Sequence, residues 1–282
     1  MFTLHNGDCL QVMPTITSGS IDAIITDLPY KMTDCDWDSI IPLVDMWREA
    51  KRILKPSGAF ITTSSQPFSS LVVASNIKNF KVEWIWKKNA GSNFGTCKFQ
   101  PMKEHESILV FSNNGKKITY NPIMQERAES GKSRVKTKIN ASTQNKPYQN
   151  GGLKPIGFMA SELRYPSSVQ YFNRERGLHP TQKPVALYEY LIKTYTNEGE
   201  TVLDIAMGSG TTIEAAERTG RNSIGIEKDE GIFQSAVLRL KPFTPSNNRL
   251  HSDAGESPCQ QAFFTPEADS AEGKLPTPSP RR

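Results

Sequence analysis

The chain has 282 residues, 37% hydrophobic and 22% charged, with a formal net charge of +5, enough for one large domain or one domain with a sizeable insertion. No apolar run approaches the roughly 18 residues a membrane span needs, and the opening residues lack the basic and apolar regions of a secretory signal. A cytoplasmic protein with no membrane partner is expected. The four cysteines, Cys9, Cys35, Cys97 and Cys259, are scattered and form no C-x-x-C pair, which speaks against a disulfide framework and a zinc site; no metal is expected.

Residues 2–10 read as a strand running into Asn6-Gly7-Asp8, and residues 11–17 as a short helix or turn. The apolar run Ile21-Asp22-Ala23-Ile24-Ile25-Thr26 reads as a buried strand, because Ile24 and Ile25 are β-branched and a turn signal follows. Apolar residues at three- and four-residue spacing predict a helix over 38–54, with Lys51, Arg52 and Lys55 crowding its last turn and Pro56 and Gly58 stopping it. A strand over 58–63, a helix over 66–79, a period-two strand over 80–86 and a strand over 105–111 follow, with 91–103 irregular between the last two.

The pattern then lapses. Residues 112–178 hold twelve Lys/Arg against four Glu and no Asp, a net +8, which leaves about −3 for the remainder. A basic excess confined to one polar insert is what a phosphate-contacting segment shows, although a solvated loop has the same composition. Lys132, Arg134, Lys136 and Lys138 are its densest basic run. Within it, residues 164–169 read as a short edge strand. Regular structure returns at His179-Pro180-Thr181-Gln182-Lys183-Pro184, where Thr181 is a candidate N-cap for a helix to about residue 195. A strand to Asp204, a glycine turn, a helix to Thr219 with Gly220 behind it, a strand ending at Glu227 and a helix over 229–240 complete the core. Residues 243–282, rich in Pro, Ser, Glu and Gln, read as a disordered tail.

Two constellations carry chemistry. Asp27-Leu28-Pro29-Tyr30 stands at a strand's carboxyl end, where open α/β sheets place ligands. Pro29 stiffens the turn, Asp27 accepts hydrogen bonds from an amino group, and Tyr30 offers a face to a planar base. Asp204-Ile205-Ala206-Met207-Gly208-Ser209-Gly210-Thr211-Thr212 is strand, tight turn, helix, and Glu227 lies 19 residues past Gly208, at the next strand's end, where a carboxylate holds ribose hydroxyls. The third glycine of the dinucleotide fingerprint is missing. That argues against a pyrophosphate cofactor and for a phosphate-free nucleoside with a cationic group near Asp204, a description S-adenosylmethionine fits.

Taken together, Asp27-Leu28-Pro29-Tyr30 and residues 204–212 resemble the amino-group DNA methyltransferases, which make N6-methyladenine or N4-methylcytosine. The catalytic motif comes first, a basic region second and the cofactor glycines last, with Thr181-Gln182-Lys183-Pro184 just before the cofactor strand. That order resembles the β-ordered subgroup over about residues 2–240. The resemblance implies an α/β, Rossmann-like S-adenosylmethionine-dependent fold with circularly permuted motif order. Residues 1–111 would form its catalytic part, 112–178 a target-recognition insert and 179–242 the cofactor-binding part of the same domain. The strand at residues 2–7 would follow the last helix in the sheet, and the strands ending at Asp204 and Asp27 would be neighbours at the topological switch point.

The resemblance further implies catalysis by Asp27, Leu28, Pro29 and Tyr30. It assigns the cofactor to Asp8, Thr181, Gln182, Lys183, Asp204, Met207, Gly208, Ser209, Gly210, Thr211, Thr212 and Glu227. Double-stranded DNA is the implied partner, touched by Lys132, Arg134, Lys136 and Lys138 of the insert and by Lys31; a homodimer and a cognate restriction endonuclease stay open. The target base would be flipped out of the duplex, and Asp at the first motif position tilts the target towards N6 of adenine. Lys31 stands where relatives often have Gly, and Ile205-Ala206 where they often have Pro-Phe. N4-cytosine methylation shares every motif. A C5-cytosine enzyme would need a Pro-Cys nucleophile, and Pro258-Cys259 lies in the expected tail. A non-catalytic DNA-binding descendant would be expected to have lost at least one of these residues.

Overall fold

The computed structural model describes residues 1–30, 40–127, 163–175 and 182–243. Its centre is an 8-stranded sheet in the order β1-β10-β9-β2-β3-β5-β4-β8. The strands are β1 (Phe2–Asn6), β2 (Ile21–Asp27), β3 (Leu54–Ser64), β4 (Phe80–Ser92), β5 (Lys103–Ser112), β8 (Val169–Tyr171), β9 (Thr201–Asp204) and β10 (Asn222–Glu227), with β6 (Gln125–Glu126) and β7 (Leu163–Arg164) in a separate pair. β1, β10, β9, β2 and β3 run parallel, β5 is antiparallel to both β3 and β4, and β8 joins β4 in parallel.

β2 lies in the middle because both of its faces are apolar, as buried parallel strands require. A short helix, α1 (Cys9–Val12), precedes it. Ile24 packs into one core with Met46, Ala50 and Ile53 of α2 (Leu43–Ile53) and Phe68 and Val72 of α3 (Phe68–Ser75). Ala23 and Ile25 face the other core, with Leu187, Tyr188 and Leu191 of α4 (Val185–Tyr195) and Ala215 and Ala216 of α5 (Thr211–Arg218). Burying each isoleucine is worth about 1.5–3 kcal/mol. A third core joins Phe2 and Leu4 of β1 to Ala236 and Leu240 of α6 (Glu230–Leu240). β1 therefore pairs with β10 after α6, although it opens the chain, and β2 lies against β9 with Ile24 opposite Leu203. These are the permuted neighbours the motif order implies.

Several boundaries differ from the expectations, each for a local reason. α2 starts at Leu43 rather than residue 38, with Pro42 in the cap position; a proline disfavours helix at the residue before it. β3 begins directly at Leu54 and passes through Pro56, in a stretch where the register against β2 shifts between Ile21 and Ala23, so the missing N–H costs no ladder bond. α3 ends at Ser75, and Asn76 leaves the helical region before a 3-10 turn at Ile77–Asn79. β4 runs on to Ser92. The single edge strand expected over 164–169 is two short strands on either side of Pro166, one paired with β6 and one with β4. α4 starts at Val185, with Pro184 at its cap; Thr181, the expected cap, lies outside the described residues. Phe243, expected in the tail, packs against the third core. The rest of that tail lies outside the described residues. No helix among the described residues is long and apolar enough to cross a membrane.

Candidate active site

The carboxyl ends of β2 and β9 open into one cavity of about 470 Å³, within the roughly 300–1,000 Å³ typical of small-molecule sites. Asp27, Leu28, Pro29 and Tyr30 all line it. So do Asp8, Gln182, Lys183, Asp204 and Glu227, and from the glycine turn Met207, Gly208, Ser209, Thr211 and Thr212. Gly210 lies inside the turn. Lys31, Lys132, Arg134, Lys136, Lys138 and Thr181 lie outside the described residues.

At the β2 end, Leu28 is buried and anchors the turn in the core. Tyr30 stacks one ring face on Phe68, with centroids 5.5 Å apart and planes 29° apart. Asp27 Oδ1 accepts a hydrogen bond from Thr63 Oγ1 of β3 and a long one, 3.5 Å, from the Tyr30 hydroxyl. Its Oδ2 lies 2.7 Å from Lys183 Nζ. Burial raises the Asp27 carboxyl above its usual range, and Lys183 works against that.

At the β9 end, Asp204 is buried. It accepts hydrogen bonds from the Ala206 N–H at 3.1 Å and from Thr212 Oγ1. Burial lifts its pKa to about 6. Gly208 and Gly210 take φ of +52° and +83°, the left-handed conformation glycine adopts without strain. Nothing stands within 4 Å of where a Gly208 side chain would be. Glu227 Oε2 accepts from the Gly208 N–H at 2.9 Å and its Oε1 from the Asp229 N–H at 2.9 Å. Asp8 caps α1 by accepting from the Leu10 N–H at 2.9 Å, and its Oδ2 lies 3.2 Å from Lys228 Nζ.

Three features of this site escape a motif reading. Lys183, assigned by resemblance to the cofactor, has its ammonium against Asp27, with Glu106 of β5 and Lys88 of β4 behind it; a Lys and a Glu in two strands carry no spacing signal. Arg239 of α6 braces the glycine turn. Its Nη1 donates to the Ser209 carbonyl at 3.2 Å and to Ser209 Oγ and Thr211 Oγ1 at 3.1 Å, while its Nε and Nη2 hold Glu214. Gly225 of β10 makes room for Met207, since a Cβ there would lie 2.3 Å from the Met207 sulfur.

Two acidic strand ends thus face one cavity at the switch point of a mostly parallel α/β sheet. The sequence profile of the N6/N4 DNA methylase family matches residues 21–238, and the chain belongs to that family. It is 29% identical over 248 residues to the type II methyltransferase M.HpaI of Haemophilus parainfluenzae, covering 83% of this chain and 72% of that protein. It is 28% identical over 253 residues to the DNA adenine methyltransferase YhdJ of Escherichia coli K12, covering 84% and 82%. Among solved structures, the M1.HpyAVI–SAM complex matches with a TM-score of 0.54 at 22% identity, covering 85% of this chain and 99% of that one. The cytosine-N4-specific PvuII DNA methyltransferase matches at 0.59 and 16%, covering 88% and 90%.

Proposed function

We propose that the chain transfers a methyl group from S-adenosylmethionine to the exocyclic N6 of an adenine flipped out of duplex DNA. One observation carries this reading: the Asp27 turn and the Asp204 glycine turn, far apart in sequence, line a single cavity at the ends of adjacent strands. The wall beside the glycine turn suits a phosphate-free cationic nucleoside. Asp204, Glu227 and Asp8 are acidic there, and the open space over Gly208 admits a ligand to the backbone. In this reading Asp204 faces the cationic part and Glu227 the ribose. A carboxylate has about four acceptor directions, and the two N–H groups on Glu227 leave room for hydroxyls.

When bound, S-adenosylmethionine supplies the electrophilic methyl group. The protein supplies position. Asp27 and the Leu28 carbonyl accept hydrogen bonds from the target amine, which keeps its lone pair free and aims it. Tyr30, held from behind by Phe68, stacks on the base. Most of the catalysis is then orientation and preorganised electrostatics. Adenine is favoured by Asp at the first motif position and by the likeness to YhdJ, named as an adenine enzyme. The basic insert, residues 112–178, would hold duplex DNA, and the cytoplasm of a bacterial or phage-infected cell would be the setting.

A transfer assay with labelled S-adenosylmethionine and mixed-sequence duplex DNA, digested to nucleosides and weighed, tests this. N6-methyladenine supports the proposal. N4-methylcytosine keeps the mechanism and overturns the choice of base. No label in DNA, with cofactor binding intact, overturns the activity.

A further inference from the structure

Behind Asp27 stands a line of charged side chains that the mechanism above does not use. Lys183 Nζ lies 2.7 Å from Asp27 Oδ2 and 3.4 Å from Glu106 Oε2. Glu106 Oε1 in turn accepts from Lys88 Nζ. Lys88, Glu106 and Lys183 side chains are only 8%, 12% and 10% exposed, and all three line the same cavity as Asp27. The four groups alternate in sign and sum to zero, an arrangement in which mutual attraction offsets the desolvation cost of burying them. They come from four separate segments: β4, β5, the entry to α4 and the end of β2. The entry to α4 is itself tied down, because Glu175 Oε1 accepts from the Val185 N–H at 3.1 Å.

We propose that Lys183, Glu106 and Lys88 are positioning residues for Asp27: Lys183 clamps the carboxylate that receives the target amine, and Glu106, held by Lys88, keeps Lys183 in place. The inference rests on the methyl-transfer reading above and deepens it. The geometry leaves Asp27 both fixed and usable. Thr63, Tyr30 and Lys183 take three of its roughly four acceptor directions, and one remains for an amine. Lys183 is the cation that offsets the burial of that carboxylate, so its removal favours the protonated form, which has less acceptor capacity for an amine.

Asp27 is faced by Lys183 from the α4 entry, Glu106 from β5, Tyr188 from α4, Asp204 from β9, Thr63 from β3 and Tyr30 from its own turn. Lys183 is the only cation among them, and Glu106 and Asp204 are like charges. The two supporting residues therefore push Asp27 in opposite directions: Lys183 lowers its pKa and Glu106 raises it.

The test is the acid limb of kcat/KM, which reports the free enzyme, for full-length wild type, Lys183→Met, Lys183→Arg and Glu106→Gln with duplex DNA and S-adenosylmethionine. Lys183→Met is expected to move the limb up by about one to three pH units, the range a neighbouring cation commands over a carboxylate. Glu106→Gln should move it down, and Lys183→Arg should restore most of the wild-type profile. Cofactor affinity, measured by calorimetry, should be unchanged in all three. Limbs that stay put or move together, or loss of cofactor binding in Lys183→Met, would overturn the inference. Should Lys183→Met not fold, Lys183→Gln, which removes the same charge and keeps a polar side chain, is read by the same criteria. A wild-type enzyme that labels no DNA base is a different failure, that of the methyl-transfer reading itself.

Discussion

At Asp27, burial works against a negative charge and Lys183 works for it. Its truncation is correspondingly specific: Asp27→Ala should lower kcat by at least about 10²–10³-fold, the scale of removing one preorganised hydrogen-bonding group. Cofactor affinity, read by calorimetry, should be largely retained, because in the proposed reading Asp27 faces the acceptor. Loss of cofactor binding in the folded variant would contradict that role. Asp204 makes a pH statement. Its folded pKa, about 6, lies above the ordinary 3.8, so between these values the folded chain holds more protons than the unfolded one, and stability falls as pH rises through that window. Above pH 6 the penalty is on the order of 3 kcal/mol. Asp204→Asn should therefore be the more stable protein in denaturant at neutral pH, with the advantage gone in acid below both values. An equal advantage at every pH would show that the charge is not its source.

At the scale of elements, the glycine turn is held by partners distant in sequence. Gly225→Ala would drive a methyl into the Met207 sulfur, and overpacking of this kind costs about 1–3 kcal/mol. Reduced stability in urea together with weaker cofactor binding is the expected pair of readings; unchanged values for both would mean Met207 can move aside freely. Arg239→Ala removes the brace on Ser209 and Thr211 and leaves Glu214 with Arg218 alone. A weakened cofactor affinity with kcat at saturation nearly intact is expected, and a change in kcat alone would place Arg239 elsewhere in the cycle. Both positions look ordinary in sequence. The atoms that make them matter arrive from other elements.

For the whole molecule, the third core closes on Phe243, and this moves the boundary for a truncation. A chain ending after Phe243 should retain nearly full turnover in the transfer assay, since residues 244–282 hold Phe263-Phe264 as their only aromatic pair; a large drop would give those residues a role. Neutralising Lys132, Lys136 and Lys138 should weaken DNA binding and flatten its salt dependence by about 0.9 in log–log slope for each phosphate left without its lysine. An unchanged slope would remove the insert from the DNA interface.

Periodicity and turn chemistry were enough to read the parallel strands and the glycine turn. Apolar alternation and β-branched runs act locally: Ile24 and Ile25 favour a buried strand there, while the sheet decides its place among the others. The family resemblance, through its motif order, implies that β1 pairs beside β10, and the sheet has that pairing. Boundaries at prolines were misjudged where sheet geometry decides, as at Pro56, whose missing N–H matters only if the register there calls for it. What only the tertiary structure decided is the charge environment of the site. Coulombic energy depends on distance in space and on burial, and nothing in the spacing of Lys88, Glu106 and Lys183 announces that folding places them in line behind Asp27.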